Sequence, residues 1–201
     1  MPSIIQADQL KSADGNTTYL NSGTLSNLTF PAGHVIETKQ TLYRDTVAVV
    51  YNDNYLQPSG FELTTTAKVA NVKFLINYAV SLGMTHNADY NFSSGIFKDS
   101  DSDPLPETIN SGIGTGRTKS SMHSWGYWNV SASGQYLMLL NGGQYLYTSS
   151  LAKDASITFK IKIRQGDTSN ETIYVNRSGA DTNESWISRS VSQITVQQIM
   201  P

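Results

Sequence analysis

The clearest hydrophobic pattern of the chain lies in its last fifth, residues 155–199. Between residues 157 and 164 every odd position is apolar and every even position is polar or basic. This period of two predicts a β-strand that is buried on one face. Two shorter strands are predicted at Thr172–Val175 and at residues 194–196, each preceded by turn residues. We therefore expect the chain to end in three strands and two turns.

Similar alternation recurs through the middle of the chain. Strands are predicted at residues 34–43 with 47–51, at 61–66, at 72–82 and at 90–97. In the stretch 72–82, Leu75 and Ala79 add apolar positions to the second face, so we expect a central strand there that is covered on both sides.

Two further segments differ in how clearly they predict structure. Asn141, Gly142 and Gly143 predict a tight hairpin turn between strands at residues 136–140 and 145–147. Residues 98–124 have no regular pattern and are expected to form a long loop of the kind that carries function or contacts. Helix signals are nearly absent, so the fold class predicted is all-β, an antiparallel sandwich or jelly roll.

Length, charge and composition narrow the classes of function. A chain of 201 residues fits one domain plus an arm. Its net charge of −2, with only 15% charged residues, offers no basic footprint for nucleic acid and no polybasic patch for membranes. The absence of cysteine excludes disulfides and thiol catalysis. No apolar run is long enough to span a membrane, and the N-terminus has no secretory signal pattern, so we expect synthesis in a cytoplasm without export.

Residues 1–33 have a poor core and predict an extended N-terminal arm that docks onto a partner, ahead of a domain at residues 34–201. The alternative is that they supply a first strand or two of the same domain. The apolar residues of the arm are the candidates for docking: Ile4, Ile5, Leu10, Leu25 and Phe30.

Candidate chemistry is sparse. The alternate carboxylates of Asp99, Asp101 and Asp103 resemble the start of a calcium loop, but Pro104 stands where that loop needs glycine and the closing glutamate is missing. No nucleophile elbow occurs. We therefore expect no metal, no cofactor and no enzymatic activity. A row of basic residues is expected either to meet an acidic polymer or neighbouring subunit, or simply to be solvated: Lys160, Lys162 and Arg164.

Several stretches resemble small virion-associated proteins of marine tailed bacteriophages. Residues 4–10 followed by 30–36 resemble their lead-in to the first strand, and residues 63–76 are similar to their second and third strands. The closing stretch, residues 173–178 with Arg189 and 194–196, matches best. Residues 98–125 depart most.

The resemblance implies a jelly roll of the tumour-necrosis-factor-like (TNF-like) kind, usually trimeric. It would be displayed as a capsid decoration or as a tail or fibre component of a virion assembled in the host cytoplasm. The arm would then anchor it to a major capsid or tail protein. The alternative role is a carbohydrate-binding head of a tail fibre that recognises a host surface glycan. The candidate glycan contacts are the aromatic residues Trp125, Tyr127, Trp128 and Trp186.

Overall fold

The computed structural model describes residues 9–11, 18–21, 24–25, 30–50, 54–84, 90–108, 119–126, 138–165, 172–183, 185, 187 and 189–201. These residues contain strands and one short 3-10 turn, at Pro106–Thr108. The strands are β1 (Gln9–Lys11), β2 (Thr18–Asn21), β3 (Thr24–Leu25), β4 (Val35–Tyr43), β5 (Val47–Val50), β6 (Glu62–Thr66), β7 (Lys73–Met84), β8 (Tyr90–Lys98), β9 (Met122–Gly126), β10 (Met138–Thr148), β11 (Ser156–Gln165), β12 (Thr172–Val175) and β13 (Ser192–Ile199).

Ten of these strands form two antiparallel sheets. In the first sheet the order is β4-β13-β7-β10. Beyond the point where β13 leaves β7, β12 takes over the pairing with β7 and β5 pairs with β12. The pairs β4 with β5 and β13 with β12 therefore each act as one interrupted strand. The second sheet has the order β6-β11-β8-β9.

The path of the chain between the sheets identifies the architecture. It runs from β4 and β5 in the first sheet to β6 in the second, back to β7, and across again to β8. Then β8 and β9 form an antiparallel pair, after which the chain alternates through β10, β11 and finally β12 with β13. Two four-stranded sheets connected in this order form a jelly roll. The all-β sandwich prediction is confirmed, whereas the TNF-like subtype stays a prediction.

The first 33 residues contain a small sheet of their own. Strands β1, β2 and β3 pair antiparallel in that order. The register places Leu10, Leu20 and Leu25 in one row across this sheet. The division between an arm and a domain at residue 33 stays a prediction.

The core lies between the two sheets and follows the period of two. The odd positions of β11 and the even positions of β7 are buried, as the alternation predicts. Phe159 packs edge-on against Phe74, with the ring centroids 5.3 Å apart, and also contacts the ring of Tyr147. Full burial of such side chains contributes about 1.5–3 kcal/mol each, so these layers stabilise the sandwich.

The central position of β7 is confirmed, because it pairs with β10 on one side and with β13 and β12 on the other. Its second face is not covered by any other described part of the chain, contrary to the expectation. Leu75 and Ala79 point outward and are half-buried between the neighbouring strands.

The predicted hairpin at residues 141–143 is wrong, because β10 runs straight through them. All eleven residues of β10 pair in register with β7. A Cβ on Gly142 would overlap the backbone carbonyl of Tyr78, so glycine here permits close approach of two strands. Asn141 is buried and accepts a hydrogen bond from Ser94. The long-range pairing therefore outweighs the local turn preference.

Candidate assembly surface

The outer face of the first sheet has no charged side chain at the middle positions of its four main strands. We call it the neutral face and define it by outward positions in the middle of four strands: Thr38, Gln40 and Leu42 of β4; Gln193, Thr195 and Gln197 of β13; Leu75, Asn77 and Ala79 of β7; and Leu140, Gly142, Gln144 and Leu146 of β10. Lys73, the outward residue at the start of β7, lies beyond it. Although 15% of the chain is charged, none of the positions that define the neutral face is.

The polar side chains of the neutral face bond to one another across the strands. Gln40 Nε2 donates to Gln193 Oε1 at 3.1 Å and to Thr195 Oγ1 at 3.2 Å. Gln197 Nε2 donates to Thr38 Oγ1 at 3.4 Å. These bonds link side chains of β4 to side chains of β13 on the outer face.

The exposed leucines of the neutral face lie on its two edge strands. Leu140 and Leu146 of β10 are 73% and 49% exposed, and Leu42 of β4 is 40% exposed. Single exposed leucines are ordinary on protein surfaces. Leu140 and Leu146 are different, because they lie on the same strand and point to the same side.

Strand β10 also forms an edge of the first sheet. Among the described residues, no strand pairs with the side of β10 that faces away from β7. The strand is eleven residues long and contains no charged residue and no proline. Other edges carry the usual protection against strand pairing: β4 has Glu37, Lys39 and an irregular register at its end, β6 has Glu62, and β5 is only four residues long.

The outer face of the second sheet is different, because loops of the same chain cover part of it. Phe97 lies opposite Lys160 and points outward, yet it is fully buried. Tyr55 packs edge-on against it with centroids 5.0 Å apart, and the Tyr55 hydroxyl donates to the Lys119 carbonyl at 2.7 Å. Burial raises the pKa of Tyr55 to about 12, so its hydroxyl stays protonated and keeps donating.

The basic row at Lys160, Lys162 and Arg164 is partly used within the chain. Lys162 Nζ lies 4.2 Å from the centroid of the Phe97 ring and donates to the Asp101 carbonyl at 3.0 Å. Burial, together with the neighbouring charge of Lys160, lowers the pKa of Lys162. Lys162 therefore packs over Phe97 within the same chain. The two expectations for this row were contact with an acidic polymer or neighbouring subunit and simple solvation, and neither included this contact.

The acidic loop that follows β8 directs its carboxylates to separate partners. Asp99 Oδ1 accepts from the backbone N–H of Thr158 at 2.9 Å, while Asp103 pairs with Lys119 at 2.9 Å and Asp101 lies 3.9 Å from Lys98. Within the described ranges, no group of three or more His, Cys, Asp or Glu residues is placed to hold a metal ion.

The predicted docking residues are only partly within the described residues. Phe30 is 42% exposed, and its ring stacks on His34 with centroids 4.7 Å apart. Leu10 and Leu25 lie in β1 and β3, where only their backbone positions are described, and Ile4 and Ile5 fall outside the described residues. Their docking role stays a prediction.

The predicted glycan contacts are not brought together by the described structure. Trp125 lies in β9, where its backbone pairs with Asn91, but the position of its side chain is not described. Tyr127, Trp128 and Trp186 lie outside the described residues. Glycan binding stays a prediction.

Sequence reasoning missed the neutral face itself. Its members come from four strands that are distant in the sequence, and only the pairing order places them side by side. The signal that was available is the uncharged outward pattern of β10 and β13.

In the described part of the chain no helix has the length and hydropathy needed to cross a bilayer.

No protein-family model and no curated protein matches the chain. Among solved structures, the chain is similar to a chain in the structure of the Gt strain of infectious bursal disease virus. The sequence identity is 11% and the TM-score 0.39, and the match covers 99% of this chain and 42% of the other. For the Gx strain of the same virus, the identity is 11% and the TM-score 0.36, over 100% and 47%.

A third similar structure is the VP2 subviral particle of infectious bursal disease virus, with 10% identity and a TM-score of 0.35, over 100% of this chain and 46% of the other. The chain thus spans less than half the length of these proteins. Because the TM-scores lie below 0.5, the jelly-roll assignment rests on the strand order of this chain alone.

Proposed function

We propose that the chain is a non-enzymatic structural protein of a virus particle, a jelly-roll subunit that assembles with copies of itself through the neutral face. The observation that carries this proposal is the neutral face itself. A sheet surface that stays in water usually carries polar and charged side chains. The middle positions of this one carry no charged side chain, and leucines are exposed on both of its edge strands, which are properties of a surface that packs against another protein.

The assembly we propose is a homotrimer displayed on the surface of a virion, with residues 1–33 anchoring it to a major capsid or tail protein. The resemblance of residues 173–178 and 194–196 to virion-associated phage proteins supports this role. Capsid decoration and tail-fibre component are both compatible with it. Copy number per particle separates them, because decoration proteins are abundant and fibre components are few.

The first experiment places a charge in the centre of the neutral face. Thr195 lies in the middle row between Gln40 and Asn77. In Thr195→Lys, the ammonium group must be desolvated for the neutral face to pack, which costs several kcal/mol. We expect light scattering to give three times the chain mass of 22.0 kDa for the unmodified protein and the monomer mass for the variant.

The control is Thr64→Lys, because Thr64 is exposed on the outer face of the second sheet and pairs with Thr158 there. It should keep the trimer mass, and both variants should keep the far-UV circular dichroism of the parent protein. A trimer that persists in Thr195→Lys excludes the neutral face as the contact. If the unmodified protein is a monomer, self-assembly itself is wrong.

The second experiment removes residues 1–33. We expect the remaining chain to form the same oligomer but to be missing from purified particles. Incorporation of the truncated protein at the normal amount would show that the arm does not anchor it.

A further inference from the structure

The loop between β12 and β13 contains a cavity of about 280 Å³ that is partly open to solvent. The described residues of its lining are Asp181, Thr182, Asn183, Ile187 and Arg189. This volume lies just below the range of about 300–1,000 Å³ that is usual for small-molecule sites. The cavity is therefore large enough for one small ligand unit, and neither the neutral face nor the N-terminal arm uses it.

The base of this loop is closed by contacts within the chain. Arg177 and Arg189 form an isolated antiparallel bridge, and the Ser190 N–H donates to the Asn176 carbonyl at 3.1 Å. Asn176 itself is fully buried. The two ends of the loop are therefore held together before any ligand arrives, which lowers the cost of ordering the loop on binding.

Asp181 is held in one orientation in the lining of the cavity. Arg189 Nε donates to Asp181 Oδ1 at 3.0 Å, and Arg189 Nη2 donates to Asp181 Oδ2 at 2.9 Å. Arg177 Nη1 lies 3.7 Å from Asp181 Oδ2, and its guanidinium carbon lies 3.6 Å from the centroid of the Tyr174 ring. The hydrogen bond from Arg189, together with the charges of both arginines, holds the pKa of Asp181 below its usual value. The carboxylate is therefore fixed and ionised, and its oxygens keep acceptor capacity for a further donor.

The other described groups of the lining supply both kinds of hydrogen-bonding atom. Thr182 has a hydroxyl that donates and accepts, and Asn183 has an amide with donors and an acceptor; both residues are exposed. Arg189 adds its Nη1 donors, which take no part in the pair with Asp181. Ile187 is the one apolar residue of the described lining. A ligand that fits these groups must offer several donors and acceptors together with some C–H surface.

The charges of the described lining favour a neutral ligand. Asp181 and Arg189 carry one charge of each sign and are paired with each other. An anionic ligand must compete with Asp181 for Arg189, and a cationic ligand is repelled by Arg189 and Arg177. A neutral ligand with neighbouring hydroxyl groups meets neither cost, because each hydroxyl can donate to a carboxylate or amide oxygen and accept from an amide or guanidinium N–H. Sugar units combine such hydroxyls with C–H surface.

We propose that this cavity binds one neutral hexose unit of a carbohydrate, with Asp181, Asn183 and Arg189 as the hydrogen-bonding residues. These residues differ from the four aromatic residues that the sequence predicts as glycan contacts. The inference goes beyond the proposed function and does not depend on the neutral face. A single unit of about twelve non-hydrogen atoms binds such a site weakly, with a Kd of about 1 mM. Many copies on one particle raise the avidity for a polymer of such units.

Saturation-transfer difference NMR on the whole chain tests the site, because this method detects weak binding of unlabelled sugars. The probes are D-glucose, D-galactose and D-mannose, with D-glucuronic acid as the charged comparison. We expect a signal from at least one hexose and a weaker one from glucuronic acid. Thr182→Ala and Asn183→Ala each remove one hydrogen-bonding group and should weaken binding about two- to tenfold. The matched control is Thr64→Ala, an exposed threonine on the second sheet, which should leave the signal unchanged.

Every outcome decides the inference. Absence of a signal from all three hexoses overturns it. A signal that is unchanged in both Thr182→Ala and Asn183→Ala also overturns it, because the sugar then binds elsewhere, and so does an equal loss in Thr64→Ala. A stronger signal from glucuronic acid than from the hexoses excludes a neutral ligand. None of these results changes the assembly mass, which tests the proposed function separately.

Discussion

Asn176 holds together the two places where strands of the first sheet are interrupted. It follows β12 with a left-handed φ of 62° and is fully buried. Its amide Nδ2 donates to the Tyr43 carbonyl at 2.8 Å and to the Asp45 carbonyl at 3.0 Å. Its Oδ1 accepts from the Ser192 hydroxyl at 2.6 Å. One side chain therefore links the β4–β5 gap to the β12–β13 gap.

Replacing this residue by alanine should destabilise the fold. Asn176→Ala removes the three side-chain bonds and leaves buried polar groups without this partner, each at a cost of about 1–3 kcal/mol. It also places a residue less suited to positive φ at this position. We expect urea unfolding to show a loss of at least about 2 kcal/mol.

The control is Asn183→Ala, an exposed asparagine in the loop that follows, which should change the unfolding free energy by less than about 0.5 kcal/mol. Equal effects at the two positions would show that the Asn176 bonds do not stabilise the protein.

Glu37 links the two sheets at another edge of the sandwich. Its carboxylate accepts from the Thr65 hydroxyl at 2.9 Å and from Gln198 Nε2 at 2.6 Å, and it lies 3.1 Å from Lys68 Nζ. Burial acts to raise the pKa of Glu37, but the hydrogen bonds from Lys68 and Thr65 and the charges of Lys39 and Lys68 act to lower it. The net direction is below the ordinary value of 4.5.

A lowered pKa in the folded state gives a defined dependence of stability on pH. The ionised Glu37 stabilises the fold fully above the ordinary carboxyl pKa, and this contribution is lost as the pH falls through the lowered pKa of the folded state. We expect Glu37→Gln to reduce the loss of the unfolding free energy between pH 6 and about pH 3, measured by urea titration. Some loss should remain, because Arg189 also holds the pKa of Asp181 below its usual value.

The control is Glu62→Gln, which removes the same charge from β6 without touching the Glu37 network. The account of Glu37 is wrong if Glu37→Gln and the unmodified protein lose stability equally on acidification.

At the scale of the elements, β11 shows why alternation was a reliable guide. Its apolar positions face the core and its polar positions face outward, as the sequence predicts. Each strand of this kind needs only one buried face to set its register. The same reasoning recovered β12, β13 and the central position of β7.

Two substitutions on β11 should show that its inner and outer faces contribute differently to the unfolding free energy. Ile161 is fully buried, so Ile161→Ala should lower the unfolding free energy by about 2–5 kcal/mol. Lys160→Ala, at the next position on the outer face, should change it by less than about 0.5 kcal/mol. Thermal or urea unfolding of both variants measures the difference. Comparable losses of unfolding free energy in the two variants would mean that β11 does not have one face buried in the core and one face turned outward.

Strand β10 shows where local signals fail. Asn141 and Gly142 have the composition of a tight turn, and no local rule indicates that β7 offers an eleven-residue partner. Strand β9 was hidden for a related reason, because its short stretch with Trp125 lies in a region without alternation. Pairing between distant segments decides such cases, and a single sequence does not display it.

At the scale of the whole molecule, the sequence was sufficient for the fold class but not for the candidate site. Composition and periodicity led to an antiparallel sandwich, and the strand order confirms a jelly roll. The neutral face needed the order β4-β13-β7-β10, because Gln40, Thr195, Asn77 and Gln144 become one row only through three strand pairings. The burial of Phe97 likewise could not be predicted from the sequence, because it depends on loops that pack against the second sheet.

The neutral face makes one claim about the whole molecule, that its surface is completed by copies of itself. Sedimentation equilibrium of the unmodified protein over a wide range of concentrations tests that claim most directly. We predict a species of three times 22.0 kDa. A mass of 22.0 kDa at every concentration would contradict it.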